Sequence, residues 1–446
     1  MEFNQIKNII SMAADEAGIT EYDVFYSQAD SVSADALKNE IDSFNSNNEV
    51  GISFRCIVNG RFGQASTELI EKEELEAIVL RAKENAMYIE SEDHAEIYNG
   101  NAKYPTIELS DFEVPSAAII KDKALEIQKK TYDKSDIVVD GTQSGVGAST
   151  ALIKMFNSYG LELEKSAGAV QYYSNPVVSE GETTEDGVDY RLSLDYSEID
   201  DVVDEAFFNA NNKLHAAFVD SGNYDVIFNG KQVINLLSAF CGAFSAKNVK
   251  LNMSMFKDKI GEKIASELIT IVDDPISPEL IGKNSFDAEG VPTFKKSIVE
   301  NGVLTTYLHD LSTANYFGVS STGNSYKGGY QSPFVISPYF LSVEKGSNSF
   351  DELLSQVKKG IYITELVSTS GNNNVTGDFS IESMGFLIEN GKIGRFVKSF
   401  TVAGNFFDLL KNIEMVSDRQ EVKRSGLFRG YAAPDILVKN MSIAGK

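Results

Sequence analysis

From Gln232 to Ala246 the chain carries no charged residue, and Val233, Ile234, Leu236, Leu237, Phe240, Cys241 and Phe244 would leave a helix there apolar on nearly all sides. Such a helix needs partners around its whole circumference, so it constrains the chain to a layered fold with the helix inside it. The stretch falls short of the roughly 18 to 20 residues that would span a bilayer. A core helix over 232–246 is therefore expected, and no membrane association. With 446 residues, 42% of them hydrophobic and 24% charged, the chain is long enough to build that core and has the composition of a folded protein.

Helical periodicity appears at 4–16 through Ile6, Ile9, Ile10 and Ala13, and at 71–89 through Leu75, Ile78, Val79, Ala82 and Ala86. Between them 50–56 and 62–66 flank Val58-Asn59-Gly60-Arg61, the signature of a tight hairpin. A third helix is expected over 117–130. Strands dominate 136–194, and a helix with an acidic first turn follows at 197–217. Asp220-Ser221-Gly222-Asn223 breaks the chain before a strand at 224–228. No Pro-rich or Gly/Ser-rich linker occurs there, so the expectation is an α+β fold of two closely packed domains. These are an N-terminal domain (1–219) of α/β layers with antiparallel strands and a β-rich C-terminal domain (220–446). In the latter, hairpins about Asn301-Gly302 and Asn390-Gly391 each precede a short helix, at 311–317 and 406–413, which is either a distant duplication or the coincidence of two common turns. The polar loops 318–332 and 368–378 exceed the usual connection length and are candidates for binding.

The charge excludes some partners. Against 65 Asp and Glu stand 40 Lys and Arg, a formal net charge of -25, which repels phosphate backbones and anionic lipid. Direct nucleic-acid binding is not expected. Two cysteines, Cys56 and Cys241, cannot form a disulfide framework, and the N-terminus lacks the pattern of a secretory signal, so a cytoplasmic protein with reduced thiols is expected. His94, His215 and His309 are scattered, without HExxH or CxxC spacing, and no transition metal is assigned. G-x-S-x-G is absent. The one Asp220-Ser221-Gly222 has no second copy for an aspartic dyad, and the glycines at 141, 145 and 147 lack the lysine and the helix start that phosphate loops require. Eleven carboxylates between Glu180 and Glu205 face only Arg191; they could hold Ca²⁺ or a basic partner, but without EF-hand spacing they read as a solvated face.

Seven strings in order along the chain resemble the TldD/PmbA family, the so-called modulators of DNA gyrase. They are 58–67 (VNGRFGQAST), 157–160 (NSYG), 286–290 (FDAEG), 321–324 (STGN), 376–380 (TGDFS), 385–391 (GFLIENG) and 401–405 (TVAGN). In the TldD branch of that family a helix with HExxxH supplies two zinc ligands and a catalytic Glu, and a later Cys supplies another ligand. The corresponding helix here is the uncharged one, which places Ser238 at the first His, Ala239 at the Glu and Ala243 at the second His. No cysteine follows Cys241. Hydroxyl and methyl groups at those positions neither bind zinc nor activate water.

The resemblance thus points to the PmbA/TldE branch: a metal-free subunit with no cofactor of its own, assembled in the cytoplasm with a TldD-type zinc-bearing partner. Substrates would be unfolded or extended peptides, such as leader peptides of modified microcins and labile antitoxins. Asn324, Tyr326 and Asn373, in the two long loops, are the candidate peptide contacts. The rival expectation is a homodimeric peptide-binding or regulatory scaffold with no part in proteolysis, and homodimerisation of the isolated chain is open under either reading.

Overall fold

The structure, a computed structural model, describes residues 1–90, 93–368 and 371–446. The first sheet contains β1 (Tyr22–Leu37), β2 (Glu40–Val58), β3 (Arg61–Thr67), β4 (Gln143–Asn157), β5 (Glu162–Asn175) and, after a small hairpin of β6 (Val177–Glu180) and β7 (Thr183–Asp186), β8 (Asp189–Ser193). Its order is β3-β2-β1-β4-β5-β8, antiparallel throughout. Asn59 and Gly60 turn β2 into β3 with φ of 52° and 74°, the paired positive values that a tight hairpin turn needs.

Strand periodicity decides what this sheet buries. Even-numbered Val24, Val32, Ala34, Ala36, Ile52, Phe54 and Cys56 pack on helices α1 (Phe3–Glu16), α2 (Lys72–Tyr88), α3 (Ala117–Tyr132) and α4 (Ile199–Leu214). Odd-numbered positions turn the other way: Phe25 packs on Phe286, Ser53 accepts from Lys327 and Arg55 pairs with Glu289, all from the C-terminal domain. Both faces are covered here, so every residue from Gly51 to Cys56 is buried.

The second sheet draws on β9 (Gly222–Phe228), β10 (Ile271–Asp273), β11 (Lys296–Glu300) and β12 (Val303–Leu304). A separate pair, β13 (Ser325–Tyr326) and β14 (Val335–Ile336), precedes its remaining strands: β15 (Phe340–Val343), β16 (Lys359–Leu366), β17 (Asp378–Glu389), β18 (Lys392–Asn405), β19 (Ile413–Gly426) and β20 (Arg429–Ala444). The order is β12-β11-β10-β15-β20-β18-β17-β16-β9, with β19 on β20. Because β9 also pairs with β20, strands β20, β18, β17, β16 and β9 close a ring and hide their edges. The fold is thus mixed α+β in two domains, as expected.

Helix α5 (Gly230–Phe240) packs on β20 and β16, its Val233, Leu237 and Phe240 joining Phe228, Phe406 and Val438 in the large core. It is shorter than the expected 232–246. Cys241–Phe244 tightens into a 3-10 turn and Ser245 is extended, before α6 (Ala246–Lys250). The cause is a tertiary pairing: Leu308 N–H donates to Phe244 O at 2.9 Å, and Ala246 N–H donates to Leu308 O at 3.0 Å. Helices α7 (Leu311–Phe317), α8 (Phe350–Ser355) and α9 (Phe406–Lys411) complete the chain. Asn301-Gly302 and Asn390-Gly391 both take paired positive φ, yet β11–β12 sits at the end of the sheet and β17–β18 within the ring.

Candidate functional site

Between the domains lies a layer of buried charge. The turn Phe286–Gly290 is built on Asp287: Oδ1 accepts the N–H groups of Glu289 (2.9 Å) and Val291 (3.0 Å), Oδ2 accepts that of Ser325 (3.0 Å), and Gly290 supplies φ of 80°. The turn aims Glu289 at the first sheet. There Arg55 Nη1 donates to Glu289 at 3.3 Å, while its Nε and Nη2 grip Asp23, and the guanidinium lies over Phe62 and Phe334 at 4.4 and 4.2 Å. The second Glu289 oxygen accepts Leu311 N–H at 2.9 Å. Burial pushes Asp287 and Glu289 upward against the pull of their donors and of Arg55. Burial alone would lower Arg55, but Asp23 and Glu289 outweigh it.

Beside this layer is a cavity of about 150 Å³, walled by Phe25, Ser27 and Ala29 of β1, Ala151–Ile153 of β4, the 284–288 turn, Tyr326–Gly329, Tyr339 and Phe428. Two lysines line it. Lys165, inward on β5, donates to Asn284 Oδ1 at 2.8 Å and Phe286 O at 3.2 Å, with the rings of Phe286, Tyr339 and Phe428 around its ammonium. Lys327 donates to Ser53 Oγ and lies over Phe25 and Phe334. Both are about 95% buried, and burial brings each down to about 7, opposed by Asp287 for Lys165 and Asp23 for Lys327.

The strand that starts with Arg429, β20, begins beside the cavity and packs on the uncharged helix. Phe428 lines the cavity, Arg429 lies 4.7 Å over the Tyr326 ring and donates to the Tyr431 hydroxyl at 3.3 Å, and that hydroxyl reaches Ser238 and Cys241. Ser238 is exposed, Ala239 half-buried and Ala243 buried. Cys241 Sγ contacts Ser238 O at 3.2 Å, and burial pushes its thiol up. A zinc ion does not fit Ser238, Ala239 and Ala243: they offer one hydroxyl and two methyls, with an arginine nearby. Among the described residues no three His, Cys, Asp or Glu side chains converge as a metal site.

Two sequence profiles of known families match the chain. The PmbA/TldA metallopeptidase C-terminal domain matches residues 221–445, and the PmbA/TldA metallopeptidase domain 1 matches residues 22–86. The chain belongs to the PmbA/TldD family. A Haemophilus influenzae relative named metalloprotease PmbA homolog is 24% identical, covering 99% of this chain and 96% of its own. Two solved structures superpose with TM-scores of 0.89, each covering 99% of this chain and 100% of its own. One, from Thermotoga maritima and named for a supposed modulation of a DNA gyrase, is 27% identical. The other, TldE from Thermococcus kodakarensis, is 24% identical and bears on the fold alone. The relatives named as metalloproteases place this PmbA/TldD chain in a protease family.

The residues singled out from sequence occupy different surroundings in this PmbA/TldD fold. Tyr326 lines the cavity. Asn324 is fully buried, donating to Asp273 Oδ2 (2.7 Å) and Ser337 O (3.1 Å). Asn373 is exposed and caps its own turn, accepting the N–H groups of Val375 and Thr376 at 3.1 Å; Thr369 and Ser370 of that loop lie outside the described residues. The acidic run is partly neutralised by cations from elsewhere, including Lys130 on Asp200 (2.6 Å) and Lys398 on Glu185. Sequence reasoning missed Arg55, Lys165, Lys327 and Arg429. For Lys165 a signal existed, its place on the odd-numbered face of β5 beside apolar Leu163, Ala167 and Ala169.

No helix among the described residues is long and apolar enough to cross a membrane.

Proposed function

We propose that this chain is the metal-free, non-catalytic subunit of a TldD/TldE-type cytoplasmic zinc protease, completing the chamber in which unfolded or extended peptides are held for a zinc-bearing TldD-type partner. The observation that carries the reading is the side-chain chemistry at the end of α5 and in the turn after it. Ser238, Ala239 and Ala243, which the family resemblance sets against the two zinc ligands and the catalytic Glu, offer neither a ligand nor a carboxylate, and the Arg429–Tyr431–Cys241 contacts lie beside them. The cavity lined by Phe428 and Tyr326 supports a substrate-holding role, with Tyr326 its first candidate contact. Asn324 and Asn373 would act through loop shape. A net charge of -25 argues against a DNA ligand.

Copurification from the native host tests the assembly. A near-equimolar partner of the same family with an intact HExxxH supports the reading. Recovery of the chain only as a homodimer, with no such partner, favours the scaffold.

A further inference from the structure

We propose that the cavity between the two domains is a carboxylate-binding site, and that its ligand is a carboxylate group carried by a peptide. Two ammonium-bearing side chains line one small cavity, and neither is paired there with a carboxylate of the chain that is free to serve it. Asp287 is taken up by three backbone N–H groups, and Asp23 by Arg55. An ammonium can donate three hydrogen bonds, whereas Lys165 has two acceptors and Lys327 has one. The unused donors and the aromatic walls suit a compact anion on a short carbon stem, and about 150 Å³ holds several water-sized groups. Exposed Gly328 and Glu49 stand at the mouth, so a ligand can reach the lysines without unfolding the turn.

The protonation behaviour agrees with the geometry. Burial brings both lysines to about 7, while a ligand carboxylate stays ionised above about pH 5. Lowering the pH from 8 to 6 therefore charges the site and not the ligand, so affinity should rise. The other groups facing the lysines are Asp287 on the turn, Tyr326 and Tyr339, Glu49 at the mouth, and Asp23 with Arg55 beside Lys327. Asp287, pushed up by burial, gains its proton on acidification and adds to the same trend.

That the carboxylate belongs to a peptide rests on the subunit reading above; the site itself does not. Fluorescence anisotropy on the full chain at pH 6.5 would compare an N-terminally labelled, unstructured hexapeptide free of Asp and Glu, its C-terminal amide, and the amide with one internal Glu. The free acid should bind about tenfold more tightly than the amide, the scale of a charge-assisted pair. Lys165→Met and Lys327→Met should each erase most of that preference. Recovery of affinity by the internal Glu assigns the source to side chains, its absence to the C-terminus. A parallel titration of the lysine ¹⁵Nζ resonances with sodium acetate, against sodium chloride at equal ionic strength, needs neither variants nor peptide. A saturable acetate response with no acid preference supports the site and refutes the peptide as its ligand. Equal binding of acid and amide together with no acetate response overturns the proposal.

Discussion

Arg55 joins the two domains through charge that has left water, so its removal should be costly in a specific way. Its guanidinium and the Asp23 and Glu289 carboxylates are all 5 to 6% exposed in their side chains, and two aromatic rings exclude solvent above and below. Replacing Arg55 by Met keeps the aliphatic stem and the contact with Phe62 and Phe334 but leaves Asp23 without its partner. Breaking one side of a buried pair costs about 3 to 5 kcal/mol. Glu289 adds less, because Leu311 N–H still serves its second oxygen and burial already favours its protonated form. Arg55→Met should therefore lose about 4 kcal/mol in reversible urea unfolding followed by far-ultraviolet circular dichroism. Arg55→Met with Asp23→Asn removes the stranded charge and should recover about half of that loss. A single variant within about 0.5 kcal/mol of the parent, or a double variant no better than the single, would refute the argument that buried charge ties the domains.

Phe240 is fully buried and stacks on Phe406 at 4.7 Å, so Phe240→Ala should cost about 4 kcal/mol in the same assay, and an unchanged midpoint would contradict the core position of α5. Lys165 sits at about 7 against an ordinary 10.5, so the stability it contributes is present above pH 10.5 and lost as pH falls to about 7. Lys165→Met should consequently gain stability relative to the parent by up to ~5 kcal/mol between those limits and level off below, and a pH-independent difference would count against the desolvated ammonium. The isolated chain, purified without a His tag, should retain well under about 0.1 zinc per chain by elemental analysis; a value near one surviving mild chelation would contradict the assignment of Ser238 and Ala243 as lost ligands.

The fold was legible where local chemistry and periodicity agree. Asn59-Gly60, Asn301-Gly302 and Asn390-Gly391 all turn as their residue types require, and the apolar periods of α1, α2 and α3 place Ile6, Ile10, Leu75, Ile78, Ile120 and Ile127 in the core. The end of α5 was not legible, because Leu308, distant in sequence, sets it through two backbone hydrogen bonds. Nor was the burial of the 318–332 segment. Its polar composition fits a surface loop, yet Asn324, Ser325 and Lys327 are buried because Asp273, Asp287 and Ser53 offer them partners from other elements. Shortening that segment would remove core contacts, so Tyr326→Ala is the cleaner probe of substrate handling. The apolar neighbours of Lys165 on β5 hint at an inward face, but that the face is covered is established only by the docking of the 284–290 turn.

The proposed division of labour between this chain and a zinc-bearing partner is tested most directly by peptide hydrolysis. An unfolded reporter peptide would be offered to this chain alone, to a TldD-type relative from the same host alone and to their mixture, with and without a zinc chelator. The chain alone should be inactive, and the mixture should cleave in a chelator-sensitive manner and far faster than the partner alone, because holding a substrate in register with a metal-bound water can be worth roughly 7 to 11 kcal/mol in favourable cases. A partner that cleaves as fast alone as in the mixture, or cleavage by this chain by itself, would contradict the claim.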